Sequence, residues 1–352
     1  MEHFDCKTFE LYAKVPPIRV RLRKTRASGR GNTSGLHTVK KHRAAVRVEG
    51  EVVSAFLRSW DPADGHPHSA AGSPHSAAGD EPIPSDRFRA SALVDVRGLQ
   101  ISAGGRTDAP PLATGISLSI ARGEVIGLVG VAGSGATEIA LAIAGRLPAP
   151  AVVSAGSILL AGQELVGASP RSLTRLRGTS LAFVPANERT GLVFDRPIGR
   201  QLARPLRTKR GLSRRAAARR VLELLDQVGL PDPRATSLQL PAQLDPLALR
   251  RVLIADAVSC SPDLLILDEP TGTLDAESES AVLELYRELR RENGFSIIVA
   301  SRDLGVVAAG CSRVAVLEAG RIVEQASAAE IVSTPQHPYT RRLVTAARTP
   351  RD

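Results

Sequence analysis

Eight residues, Gly130-Val-Ala-Gly133-Ser134-Gly135-Ala136-Thr137, put three glycines and two hydroxyls into one short stretch between an apolar run and a helix-forming run. Glycines at this spacing let the backbone bend until several N–H groups point at one anion, and a helix that starts there adds its dipole. The chemistry on offer is the cradling of phosphate. Three glycines between a strand and a helix also make an ordinary tight turn, so the loop does not decide the matter alone. About 130 residues further on, Leu264-Leu-Ile-Leu267 ends in Asp268-Glu269. An acid at the end of a buried strand can hold Mg²⁺ through water together with the Thr137 hydroxyl, and a second acid beside it can orient or deprotonate an attacking water.

The loop followed by the acid pair is the pattern of a P-loop ATPase. The expected ligands are ATP and Mg²⁺. Gly130, Gly133, Ser134, Gly135, Ala136, Thr137 and Glu138 are the candidate nucleotide-binding residues, Thr137 and Asp268 the candidate metal ligands, and Glu269 the candidate catalytic residue. The position that should carry a lysine reaching the β- and γ-phosphates holds Ala136. Losing one charge-assisted contact removes on the order of 2–4 kcal/mol of phosphate stabilisation. Backbone donors and Thr137 still allow weak binding, but efficient hydrolysis is not expected. A structural reading stands beside the catalytic one: Asp268 can hydrogen-bond the loop, and Asp275 can cap the helix that follows. Glu269 is harder to explain structurally, because two adjacent carboxylates repel.

The elements that must position these groups alternate. Ala92–Val96, Ile116–Ile120, Glu124–Val129, Ser180–Val184, Leu264–Leu267 and Ser296–Ala300 read as strands, and Arg313–Leu317 with Arg321–Glu324 as a terminal hairpin. Thr137–Ala144, Arg214–Val228, Leu247–Val258 and Glu277–Glu292 read as helices. Strands alternating with helices predict an α/β fold with a mainly parallel sheet covered on both faces.

The first 48 residues carry twelve Lys and Arg against three acids, which accounts for nine of the ten net positive charges of the 352-residue chain. The remainder is close to neutral. Up to about Asp86 there is no sustained periodicity, and Pro67-His-Ser-Ala-Ala-Gly is copied at Pro74, so 1–91 is expected to be a disordered basic tail. It reads either as an arm for an anionic partner or as a solvated segment. Its only aromatic–basic interleaving is at Phe4, Phe9 and Tyr12, and no nucleic-acid partner is expected. Three scattered cysteines offer no disulfide framework and no CxxC metal site, which suits a reducing, cytoplasmic setting. No run approaches the roughly 18–20 apolar residues of a membrane span, and the start lacks a secretion signal, so membrane attachment is expected through partners.

Asp268-Glu269-Pro270-Thr-Gly-Thr-Leu274-Asp275 resembles the Walker B motif and D-loop of ABC ATPases, and the similarity runs over about residues 92–348. The style is that of the ATPase subunits of oligopeptide, dipeptide and nickel importers. It is carried by Gly211-Leu-Ser-Arg-Arg, Val221-Leu-Glu-Leu-Leu-Asp-Gln-Val-Gly-Leu-Pro-Asp-Pro233, Arg302-Asp-Leu-Gly-Val-Val307, Ala319-Gly-Arg-Ile-Val-Glu324 and the ending His337-Pro-Tyr-Thr-Arg-Arg-Leu-Val344. Phe183-Val-Pro-Ala-Asn-Glu-Arg-Thr-Gly-Leu-Val193 is similar to the corresponding loop of the second cassette of sugar importers.

The resemblance implies an ABC nucleotide-binding domain over 92–332 with an inserted helical subdomain at about 187–258, and a C-terminal extension over 333–352. It implies membrane permease subunits as partners, contacted near residues 186–205, and a location on the inner face of the cell membrane. It also implies a second cassette, a different chain more readily than a second copy; both composite sites would then include a substituted half from this chain, through Ala136 in one and Asp245-Pro246 in the other. Where the family's signature reads roughly Leu-Ser-Gly-Gly-Gln, this chain has Leu244-Asp245-Pro246-Leu247-Ala248. Asp245 suits a helix N-cap and Pro246 the first helical position, so the helix should start well, but a carboxylate then occupies the anion site. The family's Q-loop glutamine falls at Ala186 and its switch histidine at Arg302, and no aromatic residue near Ala103 can stack on adenine. Arg302 reads as a surface or ion-paired residue rather than a phosphate finger.

Three functions follow as expectations. One is an importer ATP-binding subunit with impaired hydrolysis, and another is a non-catalytic regulatory cassette. The third, a soluble ABC protein acting on nucleic acid, is opposed by the importer-like ending.

Overall fold

Three apolar runs, Val125–Val129, Leu264–Asp268 and Ser296–Ser301, are buried at every residue, as strands covered on both faces must be. They form the centre of the computed structural model, which describes residues 92–104, 111–272 and 274–348. The expected tail over 1–91 lies outside the described residues.

The first half of the chain gives β1 (Ala92–Ser102), β2 (Ala113–Ala121), β3 (Val125–Val129), α1 (Ala136–Ile143), β4 (Val152–Leu160), β5 (Gln163–Glu164), α2 (Pro170–Leu176) and β6 (Leu181–Val184). Four helices follow, α3 (Ile198–Thr208), α4 (Arg214–Gln227), α5 (Pro233–Leu238) and α6 (Pro246–Val258). The chain continues through β7 (Leu264–Asp268), α7 (Ala276–Asn293), β8 (Ser296–Ser301), α8 (Leu304–Gly310), β9 (Arg313–Glu318) and β10 (Arg321–Ser327). It ends in α9 (Ala328–Ser333) and α10 (Pro338–Arg348).

The main sheet has the order β10-β9-β3-β8-β7-β6. It is parallel except for the antiparallel β9–β10 hairpin. Its side chains alternate between two cores. Ile126, Leu128, Ile266 and Ile298 face one core together with β1, β2 and the buried Ile139 and Ile143 of α1. Val125, Val129, Leu265, Leu267, Ile297 and Val299 face the other, with α3, α4, α6, α7 and the C-terminal helices.

A second, antiparallel sheet, β2-β1-β4-β5, stands on the α1 side. The sequence pattern gave no sign of it between residues 152 and 164, and the reason is visible in β4. Only two of that strand's nine residues are buried, its register against β1 shifts between Arg97 and Ile101, and Gly156 sits where a Cβ would lie 2.6 Å from the Arg97 carbonyl oxygen. Bulges of this kind erase the two-residue period. The strand expected over Ala92–Val96 accordingly runs on to Ser102. The local pattern does not disclose α3 either. Ile198, Leu202 and Leu206 form a buried stripe, but Pro205 inside the helix and the surrounding arginines disguise it.

Registration of the parallel strands assembles the site. Val129 pairs with Ser301, and Ala300 with Asp268. The segments that follow β3, β8 and β7 therefore leave the sheet side by side at the carboxyl ends of three adjacent strands, the usual place for a ligand crevice in such a sheet.

Candidate functional site

After β3 the chain turns through Gly130 to Gly135 into α1. Gly133 and Gly135 have φ of +80° and +95°, which glycine adopts without strain. A Cβ on Gly130 would lie 2.4 Å from the Leu317 carbonyl oxygen, and one on Gly135 would lie 2.7 Å from that of Leu112. The loop is held from outside as well. Gly320 N–H donates to the Ser134 carbonyl at 3.0 Å, and the Tyr339 hydroxyl accepts from Val131 N–H at 3.1 Å. Gly135 is the N-cap of α1, and no side chain caps that end. The first N–H groups of a helix have no intrahelical acceptor, so those of Ala136, Thr137 and Glu138 can serve an anion. The Ala136 side chain is buried in the apolar cluster beside Ile139 and Ala140 and brings no charge to the loop.

The acid pair meets this loop. Thr137 Oγ1 donates to Asp268 Oδ1 at 2.9 Å. Burial raises the Asp268 carboxyl above the usual carboxylate range, the Thr137 hydrogen bond opposes the rise, and the neighbouring Glu269 and Glu138 add to it. A buried acid whose charged form is disfavoured in this way, next to a hydroxyl, suits a divalent cation, and the donor set is of the oxygen type that Mg²⁺ takes. The uncapped N–H groups suit phosphate. Both groups therefore fit the residues present, apart from the cation missing at Ala136.

Glu269, one residue further, is engaged elsewhere. It has φ of +43°, and its N–H donates to the Ala300 carbonyl at 2.8 Å. Its carboxylate accepts from Arg302 Nε at 2.8 Å, from the Arg302 main-chain N–H at 3.2 Å and from Ser301 Oγ at 3.2 Å. The like-charge cost expected for adjacent acids is offset by this pairing. Arg302 is an ion-paired surface residue, with its side chain 62% exposed against 16% for Glu269. Asp275 caps α7 by accepting from Ser278 N–H at 2.8 Å.

The segment Leu244 to Ala248 lies at the start of α6. Asp245 is the N-cap, its carboxylate accepts from Ala248 N–H at 2.7 Å, and Pro246 occupies the first turn. This helix end carries its own anion.

Two features escaped the sequence reading. Arg250 of α6 is fully buried, donates to the carbonyls of Pro185 (2.8 Å) and Ala186 (3.0 Å), and pairs with Glu188. It pins the loop after β6 in which Ala186 stands. An arginine amid the apolar run Leu247 to Val258 was the available signal. The other is Tyr339 of the C-terminal motif, whose ring lies 5.6 Å from the Arg342 guanidinium and whose hydroxyl reaches the phosphate loop. Nothing in the linear sequence relates it to residue 131. Among the described residues no helix is long and apolar enough to cross a membrane.

Residues 113–272 match the family model described as ABC transporter. The chain is 37% identical over 253 residues to the dipeptide transport ATP-binding protein DppD of Haemophilus influenzae, covering 72% of this chain and 77% of that protein. It is 38% identical over 229 residues to the oligopeptide transport ATP-binding protein OppD of Lactococcus lactis, covering 65% and 68%. Among solved structures, cbiO1 of Clostridium perfringens, part of an ABC transporter complex, superposes with a TM-score of 0.60 at 25% identity, over 69% of this chain and 92% of that one. The fold also matches the dimeric cassette MJ0796 bound to ADP and Pi, with a TM-score of 0.60 at 22% identity, over 67% and 99%.

Proposed function

The chain belongs to the ABC transporter ATP-binding proteins of the peptide-importer type, and from that premise we propose that it is the nucleotide-binding subunit of a peptide importer with impaired ATPase activity. Its partners in this reading are permease subunits in the membrane and a second, different cassette. Its place is the cytoplasmic face of the membrane. Peptides rather than nickel are favoured as cargo by the dipeptide and oligopeptide transport named for the relatives.

Mg-ATP would be held by the backbone of Gly130, Gly133, Ser134, Gly135, Ala136 and Glu138, with Thr137 and Asp268 at the metal. ATP supplies the phosphoanhydride whose terminal phosphoryl group is open to attack by water. The protein's part is to hold the phosphates, exclude bulk water and activate the attacking one. Glu269 is the residue for that last task.

The observation that carries the impaired reading is the Arg302–Glu269 pair. The carboxylate that would accept a proton already receives three hydrogen bonds from Arg302 and Ser301, while Ala136 leaves the loop without its charge. Arginine in place of histidine keeps a positive charge but cannot exchange a proton near neutral pH. A second reading, a cassette that binds nucleotide and regulates without turning it over, is favoured by Asp245 on the α6 N-terminus. There a partner's ATP would meet a carboxylate.

The test is phosphate release from Mg-ATP by the full chain, alone and with a co-expressed partner cassette, beside calorimetric titration with Mg-ATP. Turnover is expected about a hundredfold or more below that of an intact cassette, and Ala136→Lys alone is expected not to restore it. A large gain from that single change would overturn the impaired reading.

A further inference from the structure

Residues 196–220 hold ten Lys and Arg and no acid. The run forms the adjacent helices α3 and α4, whose apolar side chains, among them Ile198, Leu202, Leu206 and Val221, are buried in the core. Most of the cations are left facing solvent. Among the described residues, the ion pairs made by these ten reach a single carboxylate, Glu223, which Arg219 and Arg220 share at 3.6 and 3.2 Å.

Where α3 gives way to α4 there is an open cleft of about 480 Å³. Lys209, Arg210 and Arg220 line it with Ser259 and Ser261, beside Leu206 and Leu212. Lys209 Nζ spends one of its three protons on the Thr174 carbonyl at 3.1 Å. Arg220 uses one end of its guanidinium on Glu223. Behind Lys209 stand two more cations, Arg146 and Arg177. Burial holds the lysine ammonium below its usual range, and these two arginines repel it further against the attraction of Cys260 and Asp256. Asp256 is itself pushed up to about 6 by burial and is a weak counter-charge.

All three charged groups lining the cleft donate hydrogen bonds and none accepts, so a ligand must bring acceptors and more than one negative charge. Guanidinium forks match phosphate oxygens in pairs. The volume is that of a small-molecule site and exceeds the needs of one inorganic phosphate. We propose that this pocket binds a polyphosphate-type anion, free in solution or presented as the phosphorylated headgroup of a lipid. The site lies apart from the phosphate loop in sequence and shares no residue with it, so it stands or falls independently of the function proposed above.

Two arms separate the sources. The full chain is titrated calorimetrically with inorganic tripolyphosphate, and it is co-sedimented with vesicles of phosphatidylcholine with or without cardiolipin, whose headgroup carries two phosphates. A saturable tripolyphosphate isotherm that weakens as salt rises supports a free ligand, and sedimentation only with the cardiolipin vesicles supports a headgroup. In either case the double variant Arg210→Gln/Arg220→Gln should bind about tenfold or more weakly. Arg204→Gln, in α3 and outside the cleft, should change binding less than about twofold. Circular dichroism checks that each variant is folded. The proposal is overturned if neither arm detects binding or if the double variant binds like the unmodified chain. It is also overturned if Arg204→Gln weakens binding as much as the double variant, since the charge would then act diffusely.

Discussion

The N-termini of α1 and α6 are the same structural object put to opposite uses. Both present the first N–H groups of a helix, and both fall where the family resemblance calls for contact with phosphate. The α1 end has glycine as its cap and no side-chain acceptor, so its partial positive charge is available to an outside anion. The α6 end is closed by Asp245, which takes the Ala248 N–H for itself, and Pro246 has no N–H to give. A helix N-terminus is therefore not a binding site by virtue of its dipole. What decides is whether the chain supplies its own anion.

The most damaging way to break this comparison is Gly135→Val. Its φ of +95° is forbidding for a β-branched residue, and the new Cβ would press on the Leu112 carbonyl. A loss of about 3 kcal/mol or more is expected, read as a lower midpoint in urea unfolding, together with loss of any nucleotide binding. A midpoint unchanged within error would mean that the loop tolerates another backbone path.

Next in size, Asp245→Ala should cost about 1 kcal/mol through loss of the cap. The pair Asp245→Ser with Pro246→Gly should keep most of that stability while removing the charge and restoring an N–H. Thermal unfolding compares the three. If the alanine variant is as stable as the parent, Asp245 is not capping the helix in solution.

The smallest effect sharpens the other side of the comparison. Asp268→Asn keeps an acceptor for Thr137 but cannot ionise. The folded-state pKa of Asp268 is raised, so the folded chain binds the proton more tightly than the unfolded chain does. Stability is then lost as pH rises through the folded pKa. In the absence of divalent cations the asparagine variant should be slightly more stable than the parent at neutral pH, and the difference should close in acid. Added Mg²⁺ should stabilise the parent and leave the variant unmoved.

The central strands, the loop and the acid pair could be read along the chain because each is a local pattern: an apolar run of strand length, glycines at fixed offsets, and two acids at a strand end. Asp245 as a cap and Pro246 at the first turn were equally local, since capping involves residues three apart. The antiparallel sheet was not readable, because β4 buries only Ile158 and Leu160 and carries a glycine bulge. Arg250 with Glu188 was not readable either, because the partners lie 62 residues apart.

The groups proposed for phosphate and metal, and the lysine missing from among them, can be listed from the linear order alone, since position 136 is alanine however the chain folds. Only the tertiary structure decided what each retained group does. Parallel registration of β3, β8 and β7 brings Thr137 onto Asp268 and Arg302 onto Glu269. Whether a carboxylate is free or occupied depends on neighbours that reach it from other strands, and those contacts exist only once the strands are side by side.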